Sequence, residues 1–356
     1  KDKLSISDDE RVLHSHGQNS PDEVFKVLYD KLEKFADLVI YVETEKDVTD
    51  LIELAKKHNV CLIPFGGGTN VTNALQLPED EDRMNERRKL VKGRTDVAAH
   101  AYYRDDITAL LATKLSVELA VKTGHRLHIL HLTSGIEADY LADYCKLPSK
   151  TEQYPIITTE VLPQHLTFDE TDVDEQGVRL QMNPPIRYSA DRQRLWNRLV
   201  DGTIQCIATD HAPHTLEAKS KGFPEAPSGM PGVETSLAVM LTNVNEGKCT
   251  LEDVVRWMST NVADCYQMIG KGKLEEGYDG DIVLVDMNHS AVVKDEDAWT
   301  RVGWNPFAGR ELVGWPVLTV VDGIPVFERN QITGQKGKVL VEAGTIGKPI
   351  LMGPWK

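Results

Sequence analysis

The stretch Ala208-Thr209-Asp210-His211-Ala212-Pro213-His214 sets a carboxylate and two imidazoles where an apolar run, Ile204 to Ala208, passes into a proline-containing loop. A carboxylate so placed can ligate a divalent metal and accept a proton from metal-bound water. The competing reading is a polar loop whose histidines only hydrogen-bond. Two other runs end in imidazoles. Arg126 to Thr133 alternates so that His128 and Leu130 face one way and His131 falls near the end, and Thr159 to Gln164 closes the next run on His165. One terminal histidine is more often structural. Together with Asp210, the two ends point to one shared reactive face.

Such a face needs strands whose ends lie side by side. Helical spacing marks Ile107 to Val121, Ile136 to Cys145 and Ala190 to Leu199, and apolar β-type runs mark Leu127 to Leu132, Ile156 to Val161 and Thr203 to Thr209. Alternating strands and helices imply a parallel sheet with helices outside it, whose strand ends form the reactive face in a β/α barrel. From about Leu274 the pattern becomes short strands with Gly-rich turns, at Asp281 to Asp286, Val317 to Val321 and Pro325 to Phe327. Near the start, Leu38 to Val42, Glu45 to His58 and Val60 to Pro64 read as a βαβ unit. It ends in Gly66-Gly67-Gly68-Thr69-Asn70, a turn whose backbone N–H groups can face an anion.

The chain has 356 residues, 41% of them hydrophobic, enough for one large domain or two ordinary ones. Its 55 acidic and 40 basic residues give a formal charge of −15, which repels a phosphate backbone or an anionic lipid surface. Nucleic-acid and membrane partners are therefore not expected. Lys1 to Glu10 lacks the apolar core of a signal peptide, and a cytoplasmic location is expected. The five cysteines, Cys61, Cys145, Cys206, Cys249 and Cys265, form no CxxC pair and read as isolated reduced thiols.

The phrases HILHLTS (His128 to Ser134), TTEVLPQHL (Thr158 to Leu166), MNPPIR (Met182 to Arg187), DGTIQCIATDHAPH (Asp201 to His214) and SGMPGVET (Ser228 to Thr235) come in this order. They resemble the dihydroorotases of the monofunctional bacterial kind, which are zinc-dependent cyclic amidohydrolases. The resemblance covers about Glu79 to Trp355. It implies an α/β fold, a partial or distorted amidohydrolase-type (TIM-like) β/α barrel with a small C-terminal β appendage. It implies zinc as cofactor, and reversible hydrolysis of dihydroorotate to carbamoyl aspartate as the reaction. His131 and His165 would ligate zinc, Asp210 would ligate it and carry the proton, Asn183 and His214 would hold the substrate, and Ser228 and Gly229 would close over its ring. Pro78-Glu79-Asp80-Glu81 resembles the tail of the family's HAEDE phrase, which would make Asp80 a bridging metal ligand; read without the family, it is a solvated helix start.

The family's first HxH pair, and the Arg after it that grips the substrate carboxylate, have no counterpart in context. The one HxH, His14-Ser15-His16, lacks that Arg and a preceding apolar strand. Instead Ser7 to Gly17, the βαβ unit and Ile63 to Leu75 resemble the start of the FAD-binding domain of alkylglycerone-phosphate synthase, a flavoprotein of ether-lipid synthesis. That resemblance implies FAD pyrophosphate on Gly66 to Asn70. The expected organisation is a chimera: an FAD-type βαβ fragment at 1–78, a barrel portion at 79–272 and a small β-sandwich appendage at 273–356. Unpaired edges of the appendage would pair with a second copy, as a homo-oligomer. The alternatives to an active hydrolase are an FAD-binding fragment and a non-catalytic amidohydrolase remnant.

Overall fold

The computed structural model describes residues 4–7, 38–42, 44–58, 60, 81–145, 155–329 and 337–341. The chain divides into two compact units, Lys1–Leu77 and Pro78–Lys356. In the first, β1 (Leu4–Ser5) pairs antiparallel with β2 (Val39–Ile40). Helix α1 (Glu45–His58) follows, and Thr44 and Asp47 cap its start reciprocally: each side chain accepts from the other's backbone N–H at 3.1 Å. The strand and helix of the expected βαβ unit are thus present, with an antiparallel partner that periodicity did not signal. Its second strand, the glycine turn Gly66 to Asn70, the pair His14 and His16, and Asp80 lie outside the described residues.

In the second unit, α2 (Glu81–Leu90), α3 (Ala98–Tyr103) and α4 (Asp106–Thr123) lead into the parallel sheet. Asp105 starts α4 by accepting from the Thr108 N–H, and Gly124, at φ 71°, ends it in the left-handed conformation glycine favours. The sheet is β3 (Leu127–Ile129), β4 (Ile157–Val161) and β5 (Cys206–Ile207), with β4 in the middle. Leu127 pairs with Ile157, and Glu160 with Cys206. All five residues of β4 are buried, as a central parallel strand covered on both faces requires. Around the sheet lie α5 (Gly135–Leu141), α6 (Pro163–Thr167), α7 (Glu170–Gln176) and α8 (Ser189–Val200); Val117, Leu141, Ile157, Val161, Leu195, Leu199, Ile204 and Trp257 form one continuous core.

One expectation needs correction here. β3 stops at Ile129 and β5 at Ile207 because the chain turns out of extended geometry just beyond, at His131 (φ 38°) and Asp210 (φ 43°). Three parallel strands cannot curl shut, so among the described residues the sheet is open, as a partial or distorted barrel allows.

Short helices α9 (Leu216–Lys219), α10 (Ser236–Asn245), α11 (Leu251–Val255) and α12 (Asn261–Tyr266) connect to the C-terminal strands β6 (Ile282–Val292), β7 (Glu311–Val321), β8 (Ile324–Glu328) and β9 (Lys338–Val339). Among the described residues these form one antiparallel sheet in sequence order. Gly314 lets β7 ride over α10: at φ +100°, a Cβ there would come within 2.6 Å of the Leu241 Cβ. Trp304, Phe307, Leu312 and Trp315 from this region share a core with Leu162, Phe168, Met182 and Met230 of the β/α portion. The Trp304 indole donates to the His214 carbonyl at 2.7 Å, so the appendage helps fix a loop of the reactive face. No helix among the described residues is long and apolar enough to cross a membrane.

Candidate active site

The ends of β3 and β5 carry the same device. After Ile129 the His131 N–H donates to the Glu160 carboxylate at 3.2 Å, and after Ile207 the Ala208 N–H makes a last ladder bond to Val161 O at 3.1 Å. Both following side chains, His131 and Asp210, sit on left-handed backbone, a conformation that strains any residue with a Cβ and is concentrated at functional positions. Burial raises the Asp210 carboxyl above its ordinary range and the Glu160 charge adds to this, while His131 pulls the other way. Asp210, His131 and Glu160 therefore act on one another across the strand ends.

The loop after β5 is built from backbone bonds. His211 Nδ1 accepts from the N–H groups of Gly232 and Val233 at 3.1 and 3.3 Å, and the Ala212 N–H donates to Met230 O at 3.1 Å. His214 Nε2 donates to Ser228 O at 3.2 Å; burial first, and then the Lys219 cation, keep this imidazole neutral by lowering its pKa. Gly229 is required where it stands, since at φ +140° a Cβ would meet Ala212 O at 2.6 Å. Its N–H donates to Gln181 O at 2.9 Å, and Gln181 Nε2 reaches Ala226 O and Ser228 Oγ. His214, Ser228 and Gly229 thus form one pinned loop beside Asp210.

His165 is not at a strand end. β4 ends at Val161, Pro163 opens the one-turn helix α6, and His165 lies inside that helix, 3% exposed. Its Nε2 donates to Pro184 O at 3.2 Å and its Nδ1 has no partner. Burial lowers its pKa to about 3, with Pro184 O opposing and His131 and Arg187 adding. Asn183 is exposed and stands beside the buried His100.

Sequence reading missed the carboxylate that ties the strand ends together. Glu160, 8% exposed, accepts from His128 Nε2 at 3.1 Å besides the His131 N–H. On its other side His128 Nδ1 meets Thr158 Oγ1 at 2.8 Å and Cys265 Sγ at 3.4 Å. Cys206 donates to Cys265, so these two cysteines are neighbours and not isolated thiols. Burial opposes a charge on His128, but Cys265 and Glu160 outweigh it and raise its pKa to about 9. The Cys265 thiol is held down by Cys206 and, against burial, by His128. Three more buried cationic or imidazole groups went unnoticed: His100, Arg187 and Lys219. The Arg in MNPPIR was the one available signal.

Zinc is what the sequence resemblance implies. A histidine that donates one ring N–H to a carbonyl and leaves the other nitrogen bare is prepared as a ligand, and His165 does this. Yet among the described residues no group of three or more His, Cys, Asp or Glu side chains is arranged to hold a metal ion. The described donors do not fit the ion by themselves, and no step below passes through it.

Known proteins share this arrangement of chain. A dihydroorotase of Halobacterium salinarum is 33% identical over 262 residues, 73% of this chain and 58% of that one. A dihydroorotase of Ligilactobacillus salivarius is 38% identical over 216 residues, 60% of this chain and 48% of that one. The chain thus spans about half the length of the curated relatives it matches. Among solved structures, the L-hydantoinase (dihydropyrimidinase) of Arthrobacter aurescens superimposes with a TM-score of 0.67 at 30% identity, over 74% of this chain and 57% of that one. Residues 9–326 match the amidohydrolase family, and the chain is a member of it.

Proposed function

We propose that the chain is a cyclic-amide hydrolase of the dihydroorotase type, opening dihydroorotate to carbamoyl aspartate in pyrimidine biosynthesis. The observation that carries this reading is that His131 and Asp210 both stand on strained left-handed backbone just past the ends of β3 and β5, the strands on either side of β4. Burial holds the Asp210 carboxyl above its ordinary range in the metal-free chain, the direction that suits a group accepting and returning a proton. Asp210 takes the proton of the attacking water and delivers it to the ring nitrogen as the amide opens. Asn183 and His214 hold the substrate, and the loop of Ser228 and Gly229 covers its ring. In this reading Asp80, His131, His165 and Asp210 would hold zinc, which would supply water activation when bound, and Asp80 would have to complete what the described donors lack. A bound cation would also reverse the shift on Asp210.

The test is turnover of dihydroorotate by zinc-loaded protein against Asp210→Asn. Removing a general acid and base should lower kcat at least about a hundredfold. Equal rates in the two proteins would sink the hydrolase reading and leave a non-catalytic family remnant.

A second reading concerns the first unit alone. The boundary between units falls at Leu77 and Pro78, where the resemblance to a dihydroorotase begins, although the amidohydrolase family match itself starts at residue 9. In this reading the unit is a flavin-type fragment in a chimeric chain, with FAD pyrophosphate on Gly66 to Asn70. Titration of the purified chain with FAD, followed by flavin fluorescence, should show saturable quenching that is lost in Gly67→Val; a featureless titration removes the reading.

A further inference from the structure

Two cations of the second unit are buried with no carboxylate to answer them among the described residues. Lys219 is 1% exposed, and its Nζ donates only to carbonyls, Gln181 O at 2.7 Å and Pro227 O at 3.0 Å. Burial alone acts on its pKa, lowering it to about 8. Arg187 is 4% exposed, and its Nη1 donates to Arg104 O at 2.8 Å. Its Nε and Nη2 have no partner among the described residues. Among the described residues neither cation forms an ion pair. The two share a neighbourhood, because His100, 3% exposed, is depressed first by burial and then by Arg104, Arg187 and Lys219 together.

A buried cation without an anion is among the most destabilising features a fold can hold, and it is retained where something else brings the negative charge. This chain carries a net charge of −15, yet among the described residues no carboxylate forms an ion pair with either cation. Nε and Nη2 are the edge of a guanidinium that matches the two oxygens of a carboxylate. Around these cations lie groups that a small molecule can reach: Asn183, exposed, and His214 and Ser228, partly exposed. Lys219 also holds Pro227, next to Ser228, so its charge and the loop's position are linked.

We propose that Arg187 and Lys219 form an anion-binding end of the site, where a ligand carboxylate, entering past Asn183, His214 and Ser228, pairs with the free Nε–Nη2 edge of Arg187 within the field of Lys219. Resting on the hydrolase reading, this supplies the carboxylate grip for which the sequence has no HxH-linked arginine. Arg187 is then a specificity-determining residue, and Lys219 a positioning one.

The experiment compares dihydroorotate with dihydrouracil, which has hydrogen in place of the carboxylate, by calorimetric titration of the full chain. Wild type should prefer dihydroorotate by at least about tenfold, the worth of one charge-assisted pair. Arg187→Gln should lose that preference and bind dihydrouracil unchanged; Arg187→Lys should keep part of it. Lys219→Gln should weaken the preference less while also altering affinity for dihydrouracil, since it moves the loop. An undiminished preference in Arg187→Gln overturns the inference, as does an equal loss for both ligands. If wild type binds neither ligand the hydrolase reading fails, and malonate then judges the anion site separately. Thermal stabilisation by malonate in wild type but not in Arg187→Gln sustains it; equal shifts, or none, overturn it. Should Arg187→Gln not fold, Arg187→Lys and Lys219→Gln carry the same comparison.

Discussion

Two sets of buried polar groups lie close together in the second unit, and they are built in opposite ways. Around His128 everything is paired: Thr158 at 2.8 Å, Glu160 at 3.1 Å and Cys265 at 3.4 Å take up both ring nitrogens. Around Arg187 much is unpaired: Nδ1 of His100, Nδ1 of His165 and two guanidinium nitrogens have no partner among the described residues. The same residue type responds in opposite directions, His128 rising to about 9 and His100 and His165 falling to about 3. Burial acts alike on all three, so the partners decide the sign. A saturated cluster fixes the sheet, and an unsaturated one is where a ligand's groups have something to bind.

The sharpest way to break the comparison is to unpair the paired cluster. Glu160→Ala removes the carboxylate from His128 and the acceptor of the His131 N–H at once. Breaking a buried ion pair by deleting one partner costs about 3 kcal/mol or more. Urea unfolding should show a loss of that order, with Glu160→Gln, which keeps an acceptor, losing less. A loss under about 1 kcal/mol, the worth of an ordinary hydrogen bond, would mean that His128 is neutral and the cluster is held by packing.

How much of this was legible follows from where the contacts come from. α4 was readable from Leu and Val spacing, and its ends are fixed locally by Asp105 and Gly124. The reactive loop was readable because Asp210, His211 and His214 are close in sequence. The His128 cluster was not, since Glu160 stands 32 residues away and Cys265 137, and no local pattern encodes such meetings. His165 was misread although a local signal existed: a proline favours the first position of a helix, and Pro163 starts α6 there. Strand lengths failed for another reason. Left-handed backbone is uncommon even for His and Asp, which adopt it more often than most residues, so residue type alone did not announce it at His131 and Asp210, where the surrounding bonds hold it. Five phrases in order revealed the family, while the number of strands that close a sheet is set by pairing over the whole chain.

A smaller effect sharpens the comparison from the other side, through pH. His100 and His165 have pKa values near 3 when folded, against about 6.5 unfolded. Between those values the unfolded chain binds protons that the folded chain refuses, so their contribution is fully present above pH 6.5 and is lost as the pH falls toward 3. His128 alone would do the reverse, losing its contribution as the pH rises from 6.5 through 9. But the proton it keeps is the one Cys265 has given up, so folded and unfolded chains hold equal numbers between 6.5 and 9 and no slope arises there. The same depressed Cys265 adds to the loss on the acid side. Urea midpoints measured from pH 5 to 9 should therefore rise to about 6.5 and then stay level, apart from lysine and tyrosine titration at the upper end. His100→Asn and His165→Asn should each make the acid limb shallower, and Cys265→Ala should do the same by removing a thiol whose proton the folded chain gives up and the unfolded chain keeps. A wild-type curve that already tilts downward above pH 6.5 would show that Cys265 keeps its proton, and the paired cluster would then rest on Glu160 alone.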